Sequence, residues 1–181
     1  MNLERLWAPW RLEYVTGSES ATEPPPEPAN WMPNADHRCF LCRDAATYDA
    51  ASSADRRLLV VKRSQFTIVV LNRYPYNNGH LLVAPLRHVG ELTAMTGEEH
   101  LDCIERIAKL TSTYREQLNA EGFNIGLNLG RVAGAGLPGH LHWHLVPRWA
   151  GDNNFMPVLA GTRVIPQSLD ALWEMLTGVL E

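Results

Sequence analysis

Residues 139–148 have the sequence GHLHWHLVPR, in which histidines alternate with large apolar residues. Successive side chains of a β-strand point to opposite faces of the sheet. A strand over residues 140–146 would therefore place His140, His142 and His144 on one face and the apolar side chains on the other. A helix would scatter the three histidines around its axis. The pattern predicts a strand whose apolar face packs into the core and whose histidine face borders a polar site.

Three explanations fit a row of histidines. A solvated histidine-rich edge is the simplest, and a catalytic metal site is the second, although the cluster contains no carboxylate to act as a general base. The third is nucleophilic catalysis, because imidazole is largely neutral near pH 7 and attacks without a strong base. Residues 130–139, GRVAGAGLPG, come directly before the row. Glycines let backbone amides approach phosphate oxygens closely, so the combination favours attack on phosphorus.

Apolar and β-branched runs bounded by turn residues predict an antiparallel sheet that begins with a hairpin. The predicted strands cover residues 58–62, 66–71, 80–84, 123–129 and 140–146, with residues 158–165 as a further candidate. Proline removes a backbone donor, so Pro85 and Pro147 are expected to end two of these strands. The strands are joined by short loops and the helices are grouped, which indicates an α+β fold.

The clearest predicted helix covers residues 98–119, where apolar residues recur at three- and four-residue spacing. Its predicted apolar face comprises Leu101, Ile104, Ile107, Ala108, Leu110 and Tyr114. Thr96 followed by Glu99 is typical of a capping box, and Gly122 is expected to close the helix. Residues 91–95 predict a short helix, and residues 169–180 predict a final amphipathic helix.

Composition excludes several function classes. The chain has 181 residues and a formal net charge of −4, so it lacks the basic surface of a nucleic-acid-binding protein. No run approaches the ~20 apolar residues of a membrane span, and the N-terminus lacks a secretory signal. We expect a soluble, cytoplasmic protein with no nucleic-acid or membrane partner. Three cysteines argue against a disulfide framework.

The chain divides into two parts at the sequence level. Residues 1–36 form an N-terminal extension whose second half is rich in proline, and residues 37–181 are expected to form a single catalytic domain. Within the extension, prolines among glycine, serine and glutamate exclude a helix interior or a central strand.

Residues 139–148 resemble the motif of the histidine-triad (HIT) family, in which alternating histidines and apolar residues are followed by Pro-Arg. Residues 71–85, LNRYPYNNGHLLVAP, and residues 85–89, PLRHV, resemble two upstream segments of the same family. The resemblance as a whole covers about residues 39–150. These segments occur in the family's order around a long helix. The resemblance implies a HIT-like α+β fold, an antiparallel sheet with one long helix and a C-terminal helix, and assembly as a homodimer or tetramer.

The resemblance also implies roles for individual residues. His142 matches the nucleophile, His144 the residue that contacts the transferred phosphate or the bridging oxygen, and His140 a structural residue or zinc ligand. Asn72 matches the residue that contacts ribose. The remaining substrate-binding candidates are Asn128, Gly134, Ala135 and Gly136 on the phosphate side, and Trp149 near a base or a neighbouring site.

Zinc-bearing branches of the family pair a Cys-x-x-Cys motif with two histidines. The matching residues here are Cys39, Cys42, His88 and His140, with His37 as a spare candidate. Two thiolates and two imidazoles suit a closed structural zinc site, and the chemistry itself needs no cofactor. The alternative is that both cysteines are free thiols in a loop and His88 is a surface residue.

The sequence departs from the common hydrolase pattern of the family. Residues 136–139, GLPG, stand where Gly-Gln-Ser/Thr-Val is usual. The Trp-Ala-Pro-Trp-Arg start at residues 7–11 and the tail at residues 149–156 resemble the bacterial diadenosine tetraphosphate phosphorylase-like branch. This resemblance implies transfer of a nucleotidyl group from a dinucleoside polyphosphate, through a nucleotidyl-histidine intermediate, to inorganic phosphate. The alternatives are a hydrolase of adenosine nucleotide conjugates and a non-catalytic nucleotide-binding protein.

Overall fold

A computed structural model of the protein describes residues 24–152 and 165–180. These residues form an antiparallel sheet with helices, so the predicted α+β class is confirmed. The strands are β1 (Val60–Arg63), β2 (Thr67–Leu71), β3 (Leu81–Pro85), β4 (Gly122–Leu127) and β5 (Trp143–Arg148). The helices are α1 (Phe40–Ala45), α2 (Ala51–Leu58), α3 (Gly97–Leu118) and α4 (Leu169–Val179), with 3-10 turns at Leu92–Ala94 and Arg131–Ala133.

The strand order across the sheet is β1-β2-β3-β5-β4, with every neighbouring pair antiparallel. The register places Val70, Leu82 and His144 side by side on one face. Leu81 and Leu145, on the opposite face, are fully buried. Helix α3 packs against β2, β3 and β5. The sheet thus separates a packed core from a face that carries a catalytic candidate.

Both ends of α3 are fixed by local chemistry. The Thr96 side chain accepts from the Glu99 amide and the Glu99 side chain accepts from the Thr96 amide, which confirms the predicted capping box. At the other end the prediction for Gly122 is wrong, because that residue begins β4. Asn119 ends the helix in the left-handed conformation, with φ of 51°. Asn adopts this region more readily than most residues.

The buried face of α3 differs in part from the predicted one. Ile107, Leu110 and Tyr114 are buried as expected, but Leu101 and Ile104 are 59% and 53% exposed. Cys103 completes the buried face and contacts Thr67 of β2. Apolar residues therefore occupy two sides of this helix, and only one of them faces the sheet.

Two strand predictions also need correction. Strand β5 begins at Trp143 and continues through Pro147, so His140 and His142 precede it, and Pro147 does not end it. Among the described residues, the core begins at Cys39, because two helices that the sequence did not predict, α1 and α2, precede β1. These helices have six and eight residues, too short for a clear apolar period.

Some predictions fall on residues outside the described ranges. These are the tryptophan-rich segment of residues 1–16 and the candidate strand of residues 158–165, of which only Ile165 is described. Across residues 24–152 and 165–180, no helix has both the length and the apolar character needed to cross a membrane.

Candidate active site

A cleft of about 200 Å³ opens on the sheet face that carries His144. The predicted site residues in its wall are Asn72, Asn128, Gly134, Gly136, His142 and His144. The wall formed by the described residues does not include Ala135 or Trp149. The Ala135 amide donates to the Gly130 carbonyl within its own loop. The Trp149 indole donates to the Leu118 carbonyl at the end of α3, and its role near a base or a neighbouring site stays a prediction.

The tautomer of His142 is set by the backbone. Its Nδ1 lies 2.9 Å from the carbonyl oxygen of His140. A carbonyl only accepts, so Nδ1 carries the proton and Nε2 keeps the lone pair of the neutral ring. Burial lowers the pKa of His142, although the bond to His140 acts in the opposite direction. The result is a neutral imidazole in the cleft wall with a defined nucleophilic nitrogen.

The tautomer of His144 is set by a second histidine. The Tyr76 amide donates to His80 Nδ1 at 3.1 Å, so neutral His80 carries its proton on Nε2. That nitrogen lies 3.0 Å from His144 Nδ1 and donates to it. Neutral His144 consequently carries its proton on Nε2, as a hydrogen-bond donor. The sequence analysis did not predict the role of His80, although it lies in the motif of residues 71–85.

The loop before β3 holds His80 in place. Asn72 Nδ2 donates to His80 Nδ1 at 3.2 Å, and Asn72 Oδ1 accepts from the Tyr74 amide. Gly79 has φ of +71°, and a Cβ there would lie 3.2 Å from the Tyr114 hydroxyl, which donates to the Gly79 carbonyl. Glycine is required for both the backbone conformation and the close contact. Helix α3 therefore supports the turn that positions His80.

The four predicted metal ligands lie together. One donor atom from each of Cys39, Cys42, His88 and His140 lies within 4.8 Å of all the others. Cys39 Sγ is 3.3 Å from His140 Nδ1, and Cys42 Sγ is 3.1 Å from His88 Nδ1. Tetrahedral zinc, with bonds of about 2.3 Å to sulfur and 2.0 Å to nitrogen, separates its ligands by about 3.5 Å. The cluster has nearly this spacing.

The protonation states of the cluster also suit a cation. His140 Nε2 donates to the Pro85 carbonyl, which leaves Nδ1 with its lone pair toward the sulfurs. Burial lowers the pKa of His140 to about 4 and raises the pKa of Cys39 to about 12. Burial thus keeps the thiols protonated, and they would release their protons only to a compensating cation. The donor set therefore fits a divalent metal, whereas His37 stacks on Trp31 outside the cluster.

His140 has a different position from the one predicted. It is fully buried in the ligand cluster instead of sharing a strand face with the other two histidines. The strand begins three residues later, so the alternating sequence does not correspond to alternating faces here. His140 still contacts the nucleophile candidate, because its carbonyl accepts from His142. The ligand cluster and the cleft thus share a backbone segment.

The sequence analysis also missed the contribution of α1, which brings Phe40, Arg43 and Asp44 into the cleft wall. Asp44 is buried, and burial raises its pKa to about 7 against the opposing charges of Arg43, Arg63 and Arg73. The spacing of Cys39 and Cys42, at the start of this helix, was the available signal for it.

Comparison with known proteins identifies close relatives. The HIT domain family model matches residues 54–151. AP-4-A phosphorylase of Mycobacterium tuberculosis is 37% identical over 172 residues, covering 92% of this chain and 79% of that protein. Bis(5'-adenosyl)-triphosphatase of Saccharomyces cerevisiae is 32% identical over 95 residues, covering 52% of this chain and 46% of that protein.

A solved structure agrees with the sequence relatives. The zinc-bound histidine triad family protein from Mycobacterium smegmatis superimposes with a TM-score of 0.56 and 28% identity, covering 67% of this chain and 83% of that chain. The family model, the relative that matches most of the chain and the solved structure agree on the family. The chain therefore belongs to the HIT domain family.

Proposed function

We propose that the protein is a nucleotidyltransferase that splits dinucleoside polyphosphates by phosphorolysis, with diadenosine tetraphosphate as the favoured substrate. The single observation that carries the proposal is the orientation of His142 in the cleft wall. Its proton is held by the His140 carbonyl, and its other nitrogen keeps a lone pair for attack on phosphorus. The 37% identity to a named AP-4-A phosphorylase over most of the chain supports the choice of substrate.

The reaction has two steps. In the first, the lone pair of His142 Nε2 forms a bond to the α-phosphorus, and the bond from that phosphorus to the bridging oxygen breaks, releasing ATP. In the second, an oxygen of inorganic phosphate attacks the same phosphorus and the nitrogen–phosphorus bond breaks, releasing ADP and restoring the imidazole. His144 Nε2–H donates a hydrogen bond to the bridging oxygen as its charge develops.

The other cleft residues bind the substrate in this scheme. Asn72 lies beside His80 and contacts the ribose, while Asn128, Gly134 and Gly136 border the phosphates. The amides of Gly134 and Ala135 donate to carbonyls of their own loop, so we assign phosphate contacts to other donors of this wall. One of these donors is the side-chain amide of Asn128, whose Nδ2 lies 3.5 Å from the Gly134 carbonyl oxygen.

The first test is incubation with diadenosine tetraphosphate, with and without inorganic phosphate. Phosphate-dependent formation of ADP and ATP is the expected result. Formation of AMP and ATP without added phosphate would identify a hydrolase instead. The similarity to a bis(5'-adenosyl)-triphosphatase makes this the main alternative outcome. Binding of AMP without turnover of the dinucleotide would favour a nucleotide-binding protein.

The nucleophile is tested by His142→Ala. We expect turnover to fall by at least about a thousandfold, because no other group replaces the attacking nitrogen. The melting temperature should stay close to that of the unchanged protein. His100→Ala is a matched control, since His100 bonds to the Leu92 carbonyl away from the cleft wall. Full activity in His142→Ala would remove the assignment.

We also propose that Cys39, Cys42, His88 and His140 hold a structural zinc ion. The donor set supports this, and so does the likeness to a zinc-bound family member. When bound, the metal stabilises the folded state and needs no part in the transfer. It fixes α1, the residues after β3 and the backbone that precedes β5.

Zinc removal tests this second proposal. We expect one zinc per chain, and a melting temperature that falls on chelation and recovers when zinc is restored. Cys39→Ser should lose the metal, whereas Cys103→Ser should keep it, because Cys103 is a buried free thiol beside Thr67. A zinc-free protein that melts at the same temperature would contradict a structural role.

Two further expectations go with the proposed activity. Exposed apolar side chains on α3 and β4 support a homodimer or tetramer. The cytoplasmic location stays a prediction from the sequence, and fractionation of cells that express the protein would test it.

A further inference from the structure

One wall of the cleft contains a buried carboxylate that the proposed mechanism does not use. The Asp44 side chain is only 4% exposed, and its Oδ1 has no hydrogen-bond partner among the described residues. The nearest cation is Arg43, whose Nε lies 3.9 Å away, beyond hydrogen-bond distance. That Nε is itself buried without a partner in the described chain. Such unsatisfied groups are costly and rare in folded proteins.

The neighbouring arginine does not satisfy Asp44 either. Arg63 donates through Nη1 to both oxygens of Asp55, and through Nη2 to the backbone carbonyl of Asp44 rather than its carboxylate. Arg63 thus holds the backbone of Asp44 and leaves the Asp44 side chain for another partner. A side-chain acceptor and a side-chain donor, Asp44 Oδ1 and Arg43 Nε, remain next to each other in the cleft wall.

The surrounding wall is apolar. Phe40, Leu58, Leu59 and Val70 line the same part of the cleft as Asp44. Helix α1 packs against β2, whereas His144 lies on β5, two strands away. This separation is about 10 Å across the sheet. The α1 side of the cleft wall combines apolar side chains with an unsatisfied acceptor and an unsatisfied donor, which matches the flat faces and polar edge of a nucleobase.

We propose that Asp44 is a specificity-determining residue that accepts a hydrogen bond from the exocyclic amino group of adenine, while Arg43 Nε donates to the adjacent ring nitrogen. This inference rests on the proposed adenine nucleotide substrate. It assigns the base-reading role to α1, which the triad motif does not contain. A purine without the amino group would leave the buried Asp44 oxygen unsatisfied, and this mismatch is the source of selectivity.

The test is equilibrium binding of nucleoside monophosphates, which needs no turnover and so stands apart from the proposed reaction. Isothermal titration calorimetry compares AMP with purine riboside 5'-monophosphate, which lacks only the amino group. We expect the unchanged protein to bind AMP about tenfold or more tightly, since the analogue leaves the buried Asp44 oxygen without its hydrogen bond. Equal affinities would overturn the proposal without any variant being made.

The variants assign the effect to the side chain. Asp44→Leu has a similar shape without an acceptor, and we expect it to bind the two ligands within about threefold of each other. Asp44→Asn keeps an acceptor oxygen and should keep most of the discrimination. Asp49→Asn is the control, because Asp49 is exposed on the same segment. Retained discrimination in Asp44→Leu would overturn the proposal.

Stability supplies a second readout. Because Asp44 Oδ1 is buried without a hydrogen-bond partner among the described residues, Asp44→Leu should melt at the same or a higher temperature than the unchanged protein, as expected for a residue kept for binding. Zinc content is measured in each variant, since Asp44 lies two residues after Cys42. A marked loss of stability with normal zinc content would indicate a structural role and contradict the inference.

Failure of diadenosine tetraphosphate turnover alongside intact AMP discrimination would reject the reaction and keep the base-reading role.

Discussion

At the residue scale, single backbone groups determine which nitrogen of each histidine is reactive. The His140 carbonyl fixes His142, the Pro85 carbonyl fixes His140, and the Tyr76 amide fixes His80 and through it His144. Three rings from one short motif thus obtain three different arrangements, which suit the proposed roles of nucleophile, metal ligand and hydrogen-bond donor. Side-chain identity alone does not distinguish these functions, because each depends on the hydrogen bond made by the opposite nitrogen.

The link between His80 and His144 gives a prediction at this scale. His80→Asn shortens the side chain and removes the donor to His144 Nδ1. His144 is then free to adopt the other tautomer, so we expect kcat to fall about tenfold or more while KM changes little. His80→Gln, which can place an amide nitrogen near the same position, should recover part of the activity. Steady-state kinetics of both variants supply the measurement.

A double-mutant cycle separates positioning from general structural damage. If His80 acts through His144, the variant with both residues replaced should be no slower than the variant with His144→Asn alone. Additive losses would show that His80 acts by another route. Equal melting temperatures for the single variants would confirm that the comparison concerns intact proteins.

At the element scale, a carboxylate on α3 holds the turn between β1 and β2. Asp102 Oδ2 accepts from the Ser64 hydroxyl and from the Phe66 amide. Burial alone would raise the pKa of Asp102, but these hydrogen bonds outweigh it and the pKa is lowered. The ionised form is thus the stabilising form. This contact joins the long helix to a hairpin that is distant in sequence.

The prediction for this contact concerns acid stability. With a folded-state pKa below the unfolded value of 3.8, the contribution of Asp102 is fully present above that value. It is lost as the pH falls through the folded pKa. Asp102→Asn should lower the free energy of unfolding by about 1–2 kcal/mol at pH 7. In urea titrations the two proteins should converge at low pH, whereas the exposed control Glu105→Gln should change little at any pH. A constant difference down to low pH would contradict this account.

The elements differ in how well the sequence predicts them. Helix α3, its capping box and β1, β2, β3 and β4 follow from apolar periods and turn residues that extend over enough positions to be distinctive. Helices α1 and α2 do not, because their stability depends on packing against the sheet and on the ligand cluster. The cleft was predicted on its triad side and missed on its α1 side for the same reason.

The alternating histidines show a further limit of pattern reasoning. Alternation predicts side-chain faces only where the backbone is hydrogen-bonded as a strand, and this holds only from Trp143 onward. His140 and His142 lie before that point, where the chain runs beside Val89, whose carbonyl accepts from the Leu141 amide. Local sequence identified the candidate residues, but tertiary contacts determine the direction in which each ring points.

At the scale of the whole molecule, α3 and an edge strand of the sheet both expose apolar side chains. Leu101 and Ile104 are exposed on the helix, and Ile125 is 47% exposed on β4, the last strand of the sheet. Ile125 pairs with Leu145, so it lies on the face of the sheet that α3 covers. A helix and an edge strand with exposed apolar side chains are suited to pair with a second copy of the chain.

A charged substitution on this surface tests the assembly. We expect sedimentation velocity to give a mass at a multiple of 20.3 kDa for the unchanged protein, and Ile104→Glu to shift it toward a single chain. The charge would be buried without a partner in the assembled form and hydrated in the separate chain, so its cost falls on association.

Val179→Glu adds the same charge at an exposed position on α4 and should leave the mass unchanged. Ile104 is not among the described residues that line the cleft, so we expect AMP affinity in Ile104→Glu to stay within about threefold of the unchanged value. A single-chain mass for the unchanged protein, or an unaltered assembly in Ile104→Glu, would show that this apolar surface is not the contact.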